Sequence, residues 1–224
     1  MALDTYSNLQ TGIANFLNRA DLTSAIPDFI TLAEAQMLRR LGEAWQNGRM
    51  LPRKMAARTT VTINAEYVNL PADFLGPLAL SIDAQAVQLA YLKPDSLARE
   101  KARRGTNPIS GVPIFYSIVG SQFQFLPAPD QSYSGSLTYW QKFSALSGGN
   151  PSNWVLADHP DVYLYGALLQ SAPYLMDDER SAMWANFFAT AVEDLLSSEP
   201  LPNDGAMLRS DDGLICRRNI ITPT

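Results

Sequence analysis

The chain is poor in the side chains that carry most catalytic and metal chemistry: it has one cysteine, Cys216, and one histidine, His159. A single thiol excludes an internal disulfide, and one thiol with one imidazole falls short of the ligand set of a zinc site. No run of about 18 consecutive apolar residues is present, so no membrane-spanning helix is expected. The opening "MALDTYSNLQ" has no basic segment leading into an apolar run, and we expect a soluble protein made and kept in a cytoplasm. There is no GxGxxG, no GxxxxGK[ST], no CxxC and no GxSxG, which leaves nucleotide, redox and serine-hydrolase chemistry without a sequence basis. No cofactor is expected.

What the chain does have is apolar material: 46% of its 224 residues are hydrophobic, enough for one large domain or two small ones with real cores. The net charge of -5 argues against a protein whose main task is gripping phosphates. That charge is unevenly spread. Six basic residues, Arg39, Arg40, Arg49, Arg53, Lys54 and Arg58, share their segment with one acid, Glu43, whereas eleven acids between Asp158 and Asp212 meet only Arg180 and Arg209. Asymmetry of this kind accompanies nucleic-acid binding, complementary association between proteins, or simply solvated faces.

Apolar spacing divides the chain into three stretches. Tyr6, Leu9, Ile13, Phe16 and Leu17 recur at helical intervals with Asp4 available as a cap, and Ile26, Phe29, Ile30, Ala33, Met37, Leu41 and Trp45 form a second helical stripe with Pro27 near its start. From about residue 58 the period becomes that of strands, in "TTVTINAEYVNL", "LALSID", "AVQLAYL", "PIFYSIVG", "QFQFLP" and "SLTYWQKF", with Gly120-Ser121 as a hairpin turn. "PDSLAREKARRG" interrupts them as a short helix with Gly105 as its stop. After the turn-rich "SALSGGNPSN", the helical period returns in Val162, Tyr165, Leu168, Leu169, Ala172 and Met176, and again in Trp184, Phe187, Phe188, Ala191, Val192 and Leu195. Pro173 should kink or shorten the first of these helices, because it cannot donate to the carbonyl of Leu169.

The expected fold is therefore α+β: an antiparallel bundle of about four main helices from residues 1–57 and 147–199, with an antiparallel β module and its short helix inserted at 58–146. Residues 200–224 fit neither part. Their isolated apolar side chains, Met207, Leu208, Leu214, Ile215, Ile220 and Ile221, cannot build a core alone, so an extended C-terminal arm that orders on a partner is expected.

Asp158-His159 is the one pair with the look of a catalytic dyad. Its neighbours Pro160 and Asp161 give the structural reading instead, since proline and negative charge both belong in the first turn of a helix. The acids of "MDDER", residues 176–180, read likewise as a helix N-terminus, with no second ligand group to make a metal site. Aromatic clusters in "PIFYSI" and "LTYW" read as core residues of alternating strands.

Three motifs, in order, carry a resemblance: the R-x-DL of Arg19 to Leu22 followed by a proline-led helix, the LP-x-DF of Leu70 to Phe74, and Trp154 followed by the P-D-x-YLYGAL of Pro160 to Leu168. Together with "GVPIFYSIVGSQFQFLPAP", they resemble the head-to-tail connector adaptors of tailed bacteriophages, over roughly the whole chain up to Leu195. The resemblance implies a non-enzymatic virion protein that binds the portal and assembles there as a ring, commonly of twelve copies. It also implies a downstream tail protein as partner and DNA only as non-specific cargo through the channel. No catalytic residues are carried over. The arm resembles extended C-terminal arms that reach the portal or a neighbour, with Met207, Leu208, Leu214, Ile215, Arg217, Arg218, Ile220 and Ile221 as contacts.

A ring needs a heterologous interface, one face of each subunit meeting a different face of the next. The basic residues Arg39, Arg40, Arg49, Arg53, Lys54 and Arg58 and the acidic C-terminal half are expected to meet across that boundary, or else the basic face lines the channel and meets DNA. The alternative is a tail or receptor-contacting protein whose middle β segment is the binding module, with an enzyme built on Asp158-His159 as the third choice.

Overall fold

The computed structural model of the protein describes residues 3–83, 87–104, 110–175 and 178–198. The chain enters through helices α1 (Tyr6–Leu17) and α2 (Ile26–Gln46). Thr5 rather than Asp4 caps α1, its hydroxyl accepting from the Asn8 N–H at 3.3 Å, while Asp4 holds the Asn8 side chain at 2.7 Å. α1 ends at Asn18, whose φ of 51° is the left-handed conformation that releases the last carbonyls to bonds from Asn18 and Arg19. Arg19 then grips both carboxylate oxygens of Asp21 at 2.7 Å, and Leu22 drops into the core, so R-x-DL is the corner between the two helices. α2 starts with Pro27 in its first turn, where its missing N–H is harmless.

Eight strands follow, β1 (Ala56–Ile63), β2 (Tyr67–Asn69), β3 (Phe74–Ile82), β4 (Val87–Gln88), β5 (Ala90–Tyr91), β6 (Phe115–Val119), β7 (Gln122–Leu126) and β8 (Tyr133–Gln141), with helix α3 (Pro94–Arg103) after β5. They form two four-stranded sheets, ordered β1-β8-β3-β4 and β2-β7-β6-β5. β6 and β7 are the expected hairpin, with Gly120 at φ 60° in the turn. Helices α4 (Trp154–Asp158), α5 (Pro160–Leu175) and α6 (Asp178–Ser198) complete the described chain. Pro173 lies inside α5, two residues before the last described residue of that helix, Leu175. Gly105 and the junction at residues 176–177 lie outside the described residues.

The expected four-helix bundle with an inserted β module is corrected by this architecture. Six α-helices and two sheets are present among the described residues, and the strands are a layer of the fold rather than an appendage. One core lies between the sheets, built from Val61, Ile63, Leu80, Phe123, Phe125 and Leu137 among others. A second core joins α1, α2, α4, α5 and α6 to Met55, Trp140, Phe143 and Leu146, with Leu75 and Leu78 of β3 packed on it. β8 serves both. Leu137 and Tyr139 enter the intersheet core, whereas fully buried Trp140, one residue on and therefore on the opposite face, enters the helical one. Trp45 of α2 meets Trp140 edge-on, ring centroids 6.0 Å apart. Gly76 of β3 makes room for this pair, since a Cβ there would stand 2.7 Å from the Trp45 indole nitrogen.

Candidate interaction surfaces

The helical core is locked by a buried polar chain that runs between elements distant in sequence. Glu34 of α2 is 6% exposed, and its carboxylate accepts from the Tyr163 hydroxyl of α5 at 2.9 Å and from the Leu146 N–H at 2.8 Å. Asn153 donates to the same tyrosine oxygen and to the Ser144 carbonyl, each at 2.7 Å, and its own side-chain oxygen caps α4 at the Leu156 N–H. Burial pushes the Glu34 carboxyl above its ordinary range and, helped by the adjacent carboxylate, pushes the Tyr163 hydroxyl up as well. The apolar stripe of α2 does not include Glu34. Its place on the line 30, 34, 37, 41, between Ile30 and Met37, is the signal that it points inward.

The other two motifs that carried the resemblance are likewise absorbed by packing. In LP-x-DF the Phe74 N–H closes a turn on the Pro71 carbonyl, Asp73 accepts from the Tyr139 hydroxyl at 3.0 Å, and Phe74 meets Phe123 and Tyr139 with ring centroids 5.8 and 5.7 Å away. In P-D-x-YLYGAL, Gly166 lets three helices close up: a Cβ there would lie 3.0 Å from both Ala33 of α2 and Phe188 of α6.

Asp158 and His159 do not form a dyad. The Asp158 carboxylate accepts from Lys54 at 2.5 Å, and His159 is the residue between α4 and α5, its backbone N–H bonded to the Val155 carbonyl. Pro160 opens α5 and Asp161 sits in its first turn, where a negative charge complements the helix dipole. Among the described residues there is no cluster of three side chains able to hold a metal ion.

All six basic residues of the Arg39 to Arg58 segment are exposed, along α2, the turn after it, a short 3-10 helix and β1. Most are engaged within the chain. Arg49 places one guanidinium nitrogen 3.0 and 2.8 Å from the two carboxylate oxygens of Glu193 on α6, Lys54 meets Asp158, Arg40 meets Glu43 at 3.7 Å, and Arg58 donates to the Ser136 hydroxyl at 2.7 Å. The basic segment and the acidic C-terminal half are thus already in contact inside one protomer. Arg39 and Arg53 make no ion pair among the described residues.

α6 presents a second apolar stripe beside its buried one. Phe188, Ala191, Val192 and Leu195 face the core, while Met183 and Phe187 are 41% and 44% exposed. Tyr165 joins that patch, its ring 6.2 Å from Trp184 and 5.2 Å from Phe187. The arm residues Met207, Leu208, Leu214, Ile215, Arg217, Arg218, Ile220 and Ile221 lie outside the described residues. No helix of the described chain is long and apolar enough to cross a membrane.

Compared with known families, the chain matches the family model described as SU10 adaptor protein over residues 4–209. None of the curated proteins matches it.

Proposed function

We propose that this chain, which belongs to the SU10 adaptor protein family and is thereby a structural adaptor of the bacteriophage head-to-tail type, forms a ring of identical copies beneath the portal. The family implies partners among phage portal or tail components and a place in the virion. In our reading the ring has twelve copies, joins the capsid to a downstream tail protein, and lines the passage through which DNA moves as non-specific cargo. The match over residues 4–209 carries this reading, because it spans the helical core, both sheets and the start of the arm. The exposed surfaces support it. A ring needs two unlike faces on each copy, and the exposed Met183 and Phe187 of α6 and the exposed Arg39 and Arg53, which make no ion pair among the described residues, are candidates for them.

The test is electron microscopy of the protein mixed with purified portal from the same phage. Rings of adaptor on one face of the portal are expected, and failure to associate at micromolar concentrations would overturn the reading. Reversing Arg39 and Arg53 together then separates the two roles open to the basic face. Loss of rings with a folded monomer assigns it to the neighbouring subunit; intact rings with weakened, salt-sensitive DNA retention assign it to the channel.

A further inference from the structure

The turn formed by the LP-x-DF residues stands between two cavities on the surface of the fold. One, of about 460 Å³, lies against the segment that leads from β8 to α4, with Asp73, Gln141, Lys142, Asn150 and Trp154 in its wall. The other, of about 440 Å³, lies beside the β6–β7 hairpin, with Leu70, Leu75, Ile118 and Ser121 in its wall. Ala72 and Lys142 line both, so the cavities adjoin at that pair. Ala72 is the x of the motif, and it brings only a methyl group to the junction.

Much of the polar chemistry of the first cavity is not used within the chain. The Lys142 ammonium makes no ion pair or hydrogen bond among the described residues, and neither the Gln141 side-chain amide nor the Trp154 indole N–H has a partner there. Asp73 accepts from the Tyr139 hydroxyl through one carboxylate oxygen, which leaves the other available. A cation and a carboxylate thus share one cavity wall without pairing with each other.

We propose that the two cavities form one groove that binds an extended segment of a partner protein, with an acidic side chain of that segment on Lys142 and apolar side chains against Leu70, Leu75 and Ile118. Three observations select this occupant. First, Lys142 is the one cationic side chain lining either cavity, and it lacks an anion, so a carboxylate complements it. Second, the wall offers free donors at Gln141 and Trp154 and a free acceptor at Asp73, which suits a peptide backbone with its N–H and C=O at each residue. A phosphate chain carries negative charge throughout and would be repelled by Asp73. Third, the site is elongated and passes from a polar end to an apolar one, as a segment of mixed sequence requires. All of these residues belong to one protomer, so binding goes beyond the ring reading and does not depend on it.

The free full-length protein tests the proposal against a library of blocked hexapeptides, in which one position is fixed as Asp, Asn or Lys and the others vary among apolar and small residues. Asp members should bind about tenfold more tightly than matched Asn members, as one charge-assisted hydrogen bond requires. Lys142→Glu should reverse the choice and select Lys members, with an unchanged far-UV spectrum because the side chain is exposed. Ala72→Trp, which fills the junction, should abolish binding by all members. Amide shifts on binding should fall on residues 70–75, 118–121 and 141–154. Failure of every member to bind would overturn the proposal, as would an Asp preference that survives Lys142→Glu. Tighter binding of an oligothymidylate, lost in Lys142→Glu, would overturn it too, since the groove would then belong to nucleic acid.

Discussion

The hydroxyl of Tyr163 donates to the carboxylate of Glu34 across 2.9 Å of otherwise apolar core, joining helices that are separated by the whole β region of the chain. The same carboxylate takes the Leu146 N–H, so one side chain fixes α2, α5 and the segment that leads out of β8. Removing it leaves two donors buried without an acceptor. Glu34→Ala should destabilise the protein by about 1–3 kcal/mol in denaturant titration, and Glu34→Gln, which keeps an acceptor oxygen, should lose less.

The same pair sets a pH dependence. Burial raises the folded-state Glu34 carboxyl above its ordinary 4.5, so the folded protein holds this proton more tightly than the unfolded chain. Between those two values the folded state binds the extra proton, and stability falls as pH rises through the window. Asp21 acts in the opposite sense: Arg19 lowers its carboxyl from 3.8 to about 2, so its contribution is lost as pH falls through that lower range. Subtracting the stability profile of Glu34→Gln from that of the native chain isolates the Glu34 contribution. A difference that stays flat as pH rises above 4.5 would contradict the assignment.

Gly166 is the close-approach point of α2, α5 and α6. Gly166→Leu drives side-chain atoms into Ala33 and Phe188, each already 3.0 Å from where a Cβ would stand. Overpacking of this kind should cost about 1–3 kcal/mol, measured as a lowered urea midpoint with an unchanged slope. Thermal unfolding of Gly166→Ala should show a smaller change, because the gain in helix propensity offsets part of the strain.

Arg49 and Glu193 are both exposed, so their ion pair adds no more than about 1 kcal/mol to stability. Arg49→Glu should leave the monomer folded, and adding Glu193→Arg should restore whatever small stability was lost. Analytical ultracentrifugation on the same set checks that the pair acts within one chain: every variant should sediment as the native chain does.

An isolated fragment of residues 58–146 should fail to fold stably. It carries Trp140 and Phe143 without the helices that bury them, and it omits Met55, which packs in the same core. Burying a large side chain contributes about 1.5–3 kcal/mol, and several would be exposed together. A cooperative thermal transition in that fragment would revive the β segment as a binding module in its own right.

The secondary elements were largely legible because their signals are local. Ile26 to Leu41 recur at helical spacing, and the apolar positions of β1, β7 and β8 largely alternate whatever they pack against. α4 was missed because five residues are too few to show a period; Asn153, its cap, was the only local mark. The β segment was misjudged for a different reason. Alternation states that a strand has an inner and an outer face, yet it is silent on which strand lies alongside, so the split into two sheets and the shared role of β8 left no trace in the pattern.

By itself, then, the sequence determined where helix and strand periods lie, that thiol, imidazole and nucleotide-loop chemistry lack their residues, and where positive and negative charge concentrate. Only the tertiary structure decided that Glu34 is a buried acceptor, that Arg49 and Lys54 meet Glu193 and Asp158 of the same chain, and that β1 and β8 lie side by side in one sheet. Period and composition follow from neighbours a few residues away, whereas burial, ion pairing and sheet edges are set by which distant segments come to lie beside one another.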